Sequence, residues 1–220
     1  MSDSEAEQVI NIENASAAAP RTRPKPGERR AQILQTLASM LEQPGGERVT
    51  TAALAAQLQV SEAALYRHFA SKAQMFEGLI DFIEQSVFTL INQIEAQATE
   101  IGPRRAVQIV TMLIKFAEKN PGMTRVMVGD ALLLEHERLQ QRMNLFFDKI
   151  EAALKQCLRS DVCANDSTTP TLDAQVRASV LVAFARGRLQ RYARSGFKRL
   201  PSEQLAACLA LMSQATHDLA

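Results

Sequence analysis

The sequence predicts an all-α protein. Apolar residues recur at three- and four-residue steps over most of the chain after residue 27, and clusters of Pro and Gly interrupt these runs. No segment alternates apolar and polar residues as a strand does. With 220 residues, 46% of them hydrophobic, the chain has room for one mid-sized domain or for a small domain joined to a larger one.

Charge is unevenly distributed along a chain whose formal net charge is only +1. Residues 1–20 contain four acidic and no basic residues, whereas residues 21–76 contain eight basic and four acidic ones. We interpret residues 1–26 as a flexible tail, because they lack apolar periodicity. The basic region that follows is typical of a surface that meets a polyanion. No apolar stretch of about 18 residues is present, so we expect a soluble cytoplasmic protein that needs no membrane.

The region after the tail predicts three short helices followed by a long one. The first amphipathic run ends at the Pro-Gly-Gly of residues 44–46. Thr50 and Ser61 stand as N-caps before two short runs, and Ser71 stands before a much longer run. The apolar residues of the long run form a stripe of roughly 120°, but Phe82 lies about 120° from the centre of that stripe.

The rest of the chain predicts further helices. Its segments are a helix that starts at Pro103 and ends before Pro121, a short apolar segment at 123–134, a long amphipathic helix at about 135–160, a polar loop at 161–173, and two apolar helices at about 174–194 and 202–218. Gly187 inside the penultimate helix costs about 1 kcal/mol relative to Ala, which is usually accepted where another backbone approaches closely. We therefore expect the last two helices to pair with those of a second copy, although packing within one chain also fits.

The second and third short helices, joined by a tight turn, form a helix-turn-helix pattern. Ala63 and Ala64 are small enough to let the third helix enter a DNA major groove, and Tyr66, His68 and Lys72 can donate to phosphate oxygens. Backbone N–H groups at the helix starts behind Thr50 and Ser61 can point to the same anions. The alternative is an ordinary packed helix with a surface aromatic.

These residues resemble the tetracycline-repressor family of dimeric bacterial DNA-binding proteins. The resemblance is carried by "RRAQILQTLASML" and by "TTAALAAQLQVSEAALYRHFASKAQMF". It implies a helix-turn-helix domain at 27–87 and a helical dimerisation and partner-binding domain at 88–220, with a roughly palindromic double-stranded DNA site. The implied DNA-facing residues are Thr50, Ser61, Ala64, Tyr66, His68 and Lys72. Gln59 stands where the family usually has Gly, and a non-Gly residue in a left-handed turn costs on the order of 1–2 kcal/mol.

The C-terminal part resembles the nucleoid occlusion factors of this family, through "KNPGMTRVMVGDALLLEHERLQQRMNLFFDKIEAALKQCLR" and "SGFKRLP". That resemblance implies a nucleoid-associated dimer that binds the C-terminal tail of the division protein FtsZ and disrupts its polymers. It places Phe82, Lys119 and Asn120 at partner-binding positions in a groove for an extended acidic peptide. Leu90 stands where a basic residue is expected in that groove. Without the resemblance, the helical pattern favours a packing role for Phe82 against a neighbouring helix.

The sequence leaves one other function open and argues against another. A ligand-responsive repressor on the same fold needs an apolar cavity, and five residues are candidates to line one: Met112, Phe116, Phe146, Phe147 and Phe184. An enzyme is not expected, because the three histidines are scattered outside known catalytic motifs and no Gly-rich phosphate loop is present. The three cysteines predict neither a disulfide framework nor a metal site, so no cofactor and no metal is expected.

Overall fold

A computed structural model describes residues 27–97, 102–164 and 169–214. These residues form nine α-helices and no strand, which confirms the predicted all-α class. The helices are α1 Glu28–Glu42, α2 Thr51–Gln57, α3 Glu62–Tyr66, α4 Lys72–Gln97, α5 Pro103–Lys119, α6 Pro121–Met127, α7 Glu137–Ala164, α8 Pro170–Arg194 and α9 Leu205–Gln214. The predicted tail at 1–26 lies outside the described residues.

The predicted N-caps fix the short helices of the N-terminal part. The Thr50 hydroxyl accepts from the backbone N–H of Ala53 at 3.1 Å, and the Ser61 hydroxyl accepts from that of Ala64 at 3.3 Å. Ser71 caps α4 in the same way through Gln74 at 3.2 Å. Between α2 and α3, Gln59 has a φ of 54°, so the left-handed turn predicted from its position is present with a non-Gly residue.

Helix α4 links the N-terminal and C-terminal parts of the protein. Its 26 residues run without a break across the boundary predicted at residue 87. One face is buried almost completely, as the stripe predicts, and includes Phe76, Leu79, Ile80, Ile83, Val87 and Ile91. The two predicted domains therefore share one continuous helix and one apolar core.

The segment after α5 differs from its prediction. Asn120 leaves the helical conformation, with a φ of −130° and a ψ of 69°, as its place before a proline requires. Pro121 then starts the short helix α6, so the segment predicted only as apolar begins as a helix. Helix α6 packs against α1 at Gly122, where an added Cβ would lie 1.9 Å from the carbonyl oxygen of Ala38.

Helices α7 and α8 form the body of the C-terminal part. Helix α7 extends to Ala164, so the first residues of the predicted polar loop are helical, and α8 starts at Pro170 rather than Ala174. Phe146 packs edge-to-face against Phe88 and Phe147, and all three rings contribute to the core. None of the helices in the described ranges is long and apolar enough to cross a membrane.

Candidate nucleic-acid and peptide interfaces

Side chains of the helix-turn-helix are presented at the end of the molecule formed by α2, α3 and the start of α4. Tyr66, the last residue of α3, is 44% exposed, although Leu65 beside it is fully buried. Ala64 and His68 are half-buried. The guanidinium of Arg30 on α1 donates to the backbone carbonyl of His68, which ties α1 to the turn after α3. The arrangement holds Tyr66 at the surface while Leu65 anchors the helix in the core.

Lys72, at the start of α4, has a partner from the C-terminal part. Its ammonium nitrogen lies 2.5 Å from the Oε1 atom of Glu135, in the segment between α6 and α7. The Glu135 side chain is only 11% exposed, against 32% for Lys72. A phosphate that approaches Lys72 therefore competes with a carboxylate that is already in place.

A ladder of ion pairs continues this contact along α4 and α7. Arg142 of α7 donates to Asp81 at 2.7 Å and to Glu84 at 2.9 Å. Lys149 approaches Glu84 at 3.3 Å, and Arg138 pairs with Glu77 one turn earlier, at 2.8 Å. Each of these partly exposed pairs contributes on the order of 1 kcal/mol or less. Because they lie in a row, they fix the axial register of α4 against α7.

A groove of about 450 Å³ lies between α4 and α5, away from the helix-turn-helix. Leu90 forms its α4 wall, and one partly exposed face of α5 forms the other with Val107, Gln108, Thr111, Met112, Lys115, Phe116, Lys119 and Asn120. The Asn120 side-chain amide donates to the Phe116 carbonyl at 2.7 Å, which closes the end of α5. The groove is open, mostly apolar, and basic along α5.

Two of the three predicted partner-binding residues line this groove and the third does not. Lys119 and Asn120 are lining residues, whereas Phe82 lies on α4 eight residues before Leu90, about 12 Å along the helix axis. Phe82 is 50% exposed, so its ring does not pack into the core. Its position off the buried stripe is the one that the helical pattern predicts, but the packing role that the pattern alone favours for it is not seen.

The outer face of α8 carries apolar residues that are not covered within one chain. Leu172, Val176 and Val180, at four-residue steps, are about half exposed or more. Gly187 lies on the same helix and is also exposed, with no atom within 4 Å of a Cβ built on it. Another helix can therefore approach α8 closely at this position.

Two matches to protein families cover most of the described residues. Residues 33–79 match the bacterial regulatory proteins of the tetR family. Residues 103–216 match the SlmA-like tetracyclin repressor-like C-terminal domain. A relative from Idiomarina loihiensis named nucleoid occlusion factor SlmA is 49% identical over 84% of this chain and 94% of its own length. The relative of that name from Colwellia psychrerythraea is 51% identical over 79% of this chain and 87% of its own.

The chain belongs to the SlmA family of tetracycline-repressor-like proteins. The resemblance seen in the sequence is thus confirmed. SlmA-family and other tetracycline-repressor-like proteins are DNA-binding regulators, and the chain is not an enzyme.

Solved structures of more distant proteins share the fold. The fatty acid degradation regulator FadR from Bacillus halodurans superposes with a TM-score of 0.69 at 14% identity, covering 86% of this chain and 96% of that protein. FadR from Bacillus subtilis, in complex with stearoyl-CoA, gives a TM-score of 0.67 at 13% identity, covering 83% and 96%. At such identities the likeness shows the all-α fold alone.

The residues considered for a ligand cavity in this SlmA-family chain do not come together. Met112 and Phe116 line the surface groove, whereas Phe146 and Phe147 are buried against each other in the core. Phe184 is half-buried, with the Arg188 guanidinium 4.8 Å from the centre of its ring. Among the described residues, no group of three or more His, Cys, Asp or Glu side chains is arranged to hold a metal ion.

Two charged residues of these interfaces were missed by sequence reasoning. Glu135 lies in a segment predicted only as the start of a helix, and nothing in the sequence pairs it with Lys72. Lys115 stands one helical turn before Lys119, and that spacing on an amphipathic helix predicts a shared face. The sequence therefore contained a signal for Lys115 but none for Glu135.

Proposed function

We propose that the protein is a nucleoid occlusion factor. It binds a roughly palindromic chromosomal DNA site as a homodimer and, on the nucleoid, binds the C-terminal tail of FtsZ and disrupts FtsZ polymers. The observation that carries this proposal is the open, lysine-lined groove on α4 and α5, which gives the chain a second interface apart from its helix-turn-helix. The alternative, a ligand-responsive repressor, is less favoured because the candidate cavity residues are dispersed.

In this proposal the DNA-facing residues are Thr50, Ser61, Ala64, Tyr66, His68 and Lys72. Support comes from the caps, which fix the starts of α2 and α3, from the hydroxyl of Thr51 on α2, which donates to the Glu62 carboxylate on α3 at 2.6 Å, and from the exposed ring of Tyr66. Tyr66 and Lys72 contact phosphates, which position the protein without reading sequence. Dimerisation through the exposed face of α8 brings two such surfaces to successive major grooves.

The FtsZ tail lies against α5, with Lys119 and Asn120 at one end of the groove. An extended acidic peptide suits this surface because apolar side chains fill the groove and the lysine attracts carboxylates. Phe82 is a separate apolar anchor on the exposed side of α4, reached by a tail or by a neighbouring part of FtsZ. Exposed aromatic residues of this kind often carry a large share of interface energy.

A pair of substitutions separates the two activities. Phe82→Ala is expected to impair FtsZ disruption, with FtsZ binding weakened by about tenfold or more, and to leave DNA binding intact. Tyr66→Ala is expected to weaken binding to all DNA sequences and to leave binding of an isolated FtsZ-tail peptide unchanged, because phosphate contacts are sequence-independent. Gel-shift titration measures DNA binding, FtsZ sedimentation measures polymer disruption, and a fluorescent FtsZ-tail peptide measures tail binding.

Gln85→Ala, an exposed change on α4, is the matched control and is expected to affect neither assay. Normal FtsZ disruption by the Phe82 variant would remove Phe82 from the interface. Failure of the wild-type protein to bind any FtsZ tail, together with thermal stabilisation by a metabolite, would favour the ligand-responsive alternative.

Opposite effects on DNA affinity are expected from the two members of the Lys72–Glu135 pair. Lys72→Ala removes a phosphate contact and reduces the slope of log K against log salt by about 0.9 for each subunit. Glu135→Gln removes a competing carboxylate, so DNA affinity rises by about twofold to fivefold. Fluorescence anisotropy with a labelled duplex at several salt concentrations measures both effects.

Glu137→Gln makes the same charge change two residues away, on a side chain at the exposed start of α7. We expect it to raise DNA affinity much less than Glu135→Gln. Equal effects of the two glutamate variants would mean that only net charge matters, and would contradict a direct competition for Lys72.

A further inference from the structure

The basic character of the α4–α5 groove comes from two lysines rather than one. Lys115 and Lys119 lie four residues apart on α5, and both are exposed lining residues. None of the nine lining residues is acidic. Within the described part of the chain, neither ammonium group has a carboxylate partner, in contrast to Lys72 and Lys149. Both cations are therefore available to a ligand that enters the groove.

The spacing of the two lysines has a counterpart in an extended peptide. Residues four apart on a helix rise about 6 Å along its axis and point to nearly the same side. In an extended chain, side chains two residues apart point to the same side at about 6.6 Å. Two carboxylates at positions i and i+2 of a peptide lying along α5 therefore reach both ammonium groups at once.

Apolar side chains occupy the groove next to the lysines. Leu90, Met112 and Phe116 line the same groove, so an apolar residue adjacent to the two acidic ones has a place to be buried. The two lysines select for a negatively charged peptide, and these three apolar side chains provide surface against which an apolar residue of that peptide packs. An uncharged apolar peptide leaves the lysines without partners, whereas a purely acidic one leaves the apolar surface exposed.

We infer that Lys115, together with Lys119, is a specificity-determining residue of this groove and selects an extended segment with two carboxylates two positions apart, next to an apolar residue. The inference rests on the proposed function, in which the occupant is the FtsZ C-terminal tail. Lys115 recognises one carboxylate of that tail and Lys119 the other. Loss of either lysine removes one charge contact and leaves the apolar contacts in place.

A mutant cycle between protein and peptide tests this assignment. The probe is a fluorescent peptide of the FtsZ C-terminal tail, together with copies in which each Asp or Glu is replaced singly by its amide. Lys115→Gln is expected to weaken binding of the unmodified tail by about threefold to fivefold. The Lys115→Gln variant is expected to bind two peptides equally tightly: the unmodified tail, and the amide copy that has lost the partner of Lys115. The Lys119→Gln variant is expected to show the same equality with a different amide copy.

Controls separate this inference from the function on which it rests. Lys198→Gln makes the same charge change at an exposed site outside the groove and is expected to leave tail binding unchanged. If the wild-type protein binds the tail but Lys115→Gln binds every copy as the wild type does, the role of Lys115 is overturned while the proposed function stands. If the wild-type protein does not bind the tail at all, the proposed function is overturned and the role of Lys115 with it.

Discussion

Replacing Gly122 with alanine is expected to lower the free energy of unfolding by about 3 kcal/mol or more. A Cβ at this position would lie 1.9 Å from the carbonyl oxygen of Ala38 and 3.1 Å from the Glu42 side chain. The first of these contacts is with backbone, so no change of rotamer relieves it, and α6 must move away from α1. Thermal unfolding followed by circular dichroism is expected to show a Tm lower by about 6–12 °C.

Gly129→Ala provides the matched control. Gly129 follows α6 with a φ of 85°, but an added Cβ meets no atom within 4 Å. Replacement with alanine lowers the free energy of unfolding only by the strain of an alanine in the left-handed conformation, about 1 kcal/mol. Similar Tm values for the two variants would show that the approach of α6 to α1 is looser than the structure describes.

Val180→Asp is expected to convert the protein to a monomer and to weaken binding to a palindromic site by about a hundredfold or more. Val180 lies in the exposed apolar face of α8, beside Val176. A carboxylate buried there without a partner costs several kcal/mol in the dimer. The single chain is unaffected because the position is already exposed. Light scattering after size-exclusion chromatography measures the oligomeric state, and anisotropy measures the DNA affinity.

Leu145→Asp makes the same kind of change on α7, at an exposed apolar residue away from the α8 face. This variant is expected to remain a dimer and to bind DNA with little change. A dimeric Val180 variant with normal affinity would show that the two subunits meet through another surface.

The helix-turn-helix and its caps could be predicted because their signals are local. Thr50, Ser61 and Ser71 each stand directly before a run of helix-forming residues, and their hydroxyls satisfy N–H groups only three residues away. The position of Phe82 off the buried stripe could also be predicted, since helical periodicity alone sets its angle, but its 50% exposure could not, because that depends on which helices pack beside α4. The predictable features depend on the nearest neighbours in the chain and not on the rest of the fold.

Features that depend on distant parts of the chain were not predictable. The pairing of Lys72 with Glu135 joins residues 63 positions apart, and the contact of Gly122 with Ala38 joins residues 84 positions apart. Helix α6 was missed because Pro121 and Gly122 are read as helix breakers, although Pro favours the first helical position and Gly122 is needed for packing. Lys119 and Asn120 were placed in a groove with Phe82; both line a groove that Leu90 bounds on α4, and Phe82 is not among its lining residues.

The uninterrupted course of α4 sets a length scale for the whole molecule. Lys72 begins the helix at the DNA-facing end and Leu90 lies 18 residues later at the groove, a rise of about 27 Å. A single rigid rod of this kind, braced on α7, acts as a spacer. In the proposed function, it holds the bound FtsZ tail at a constant height above the chromosome, so that FtsZ is met at a set distance from the DNA.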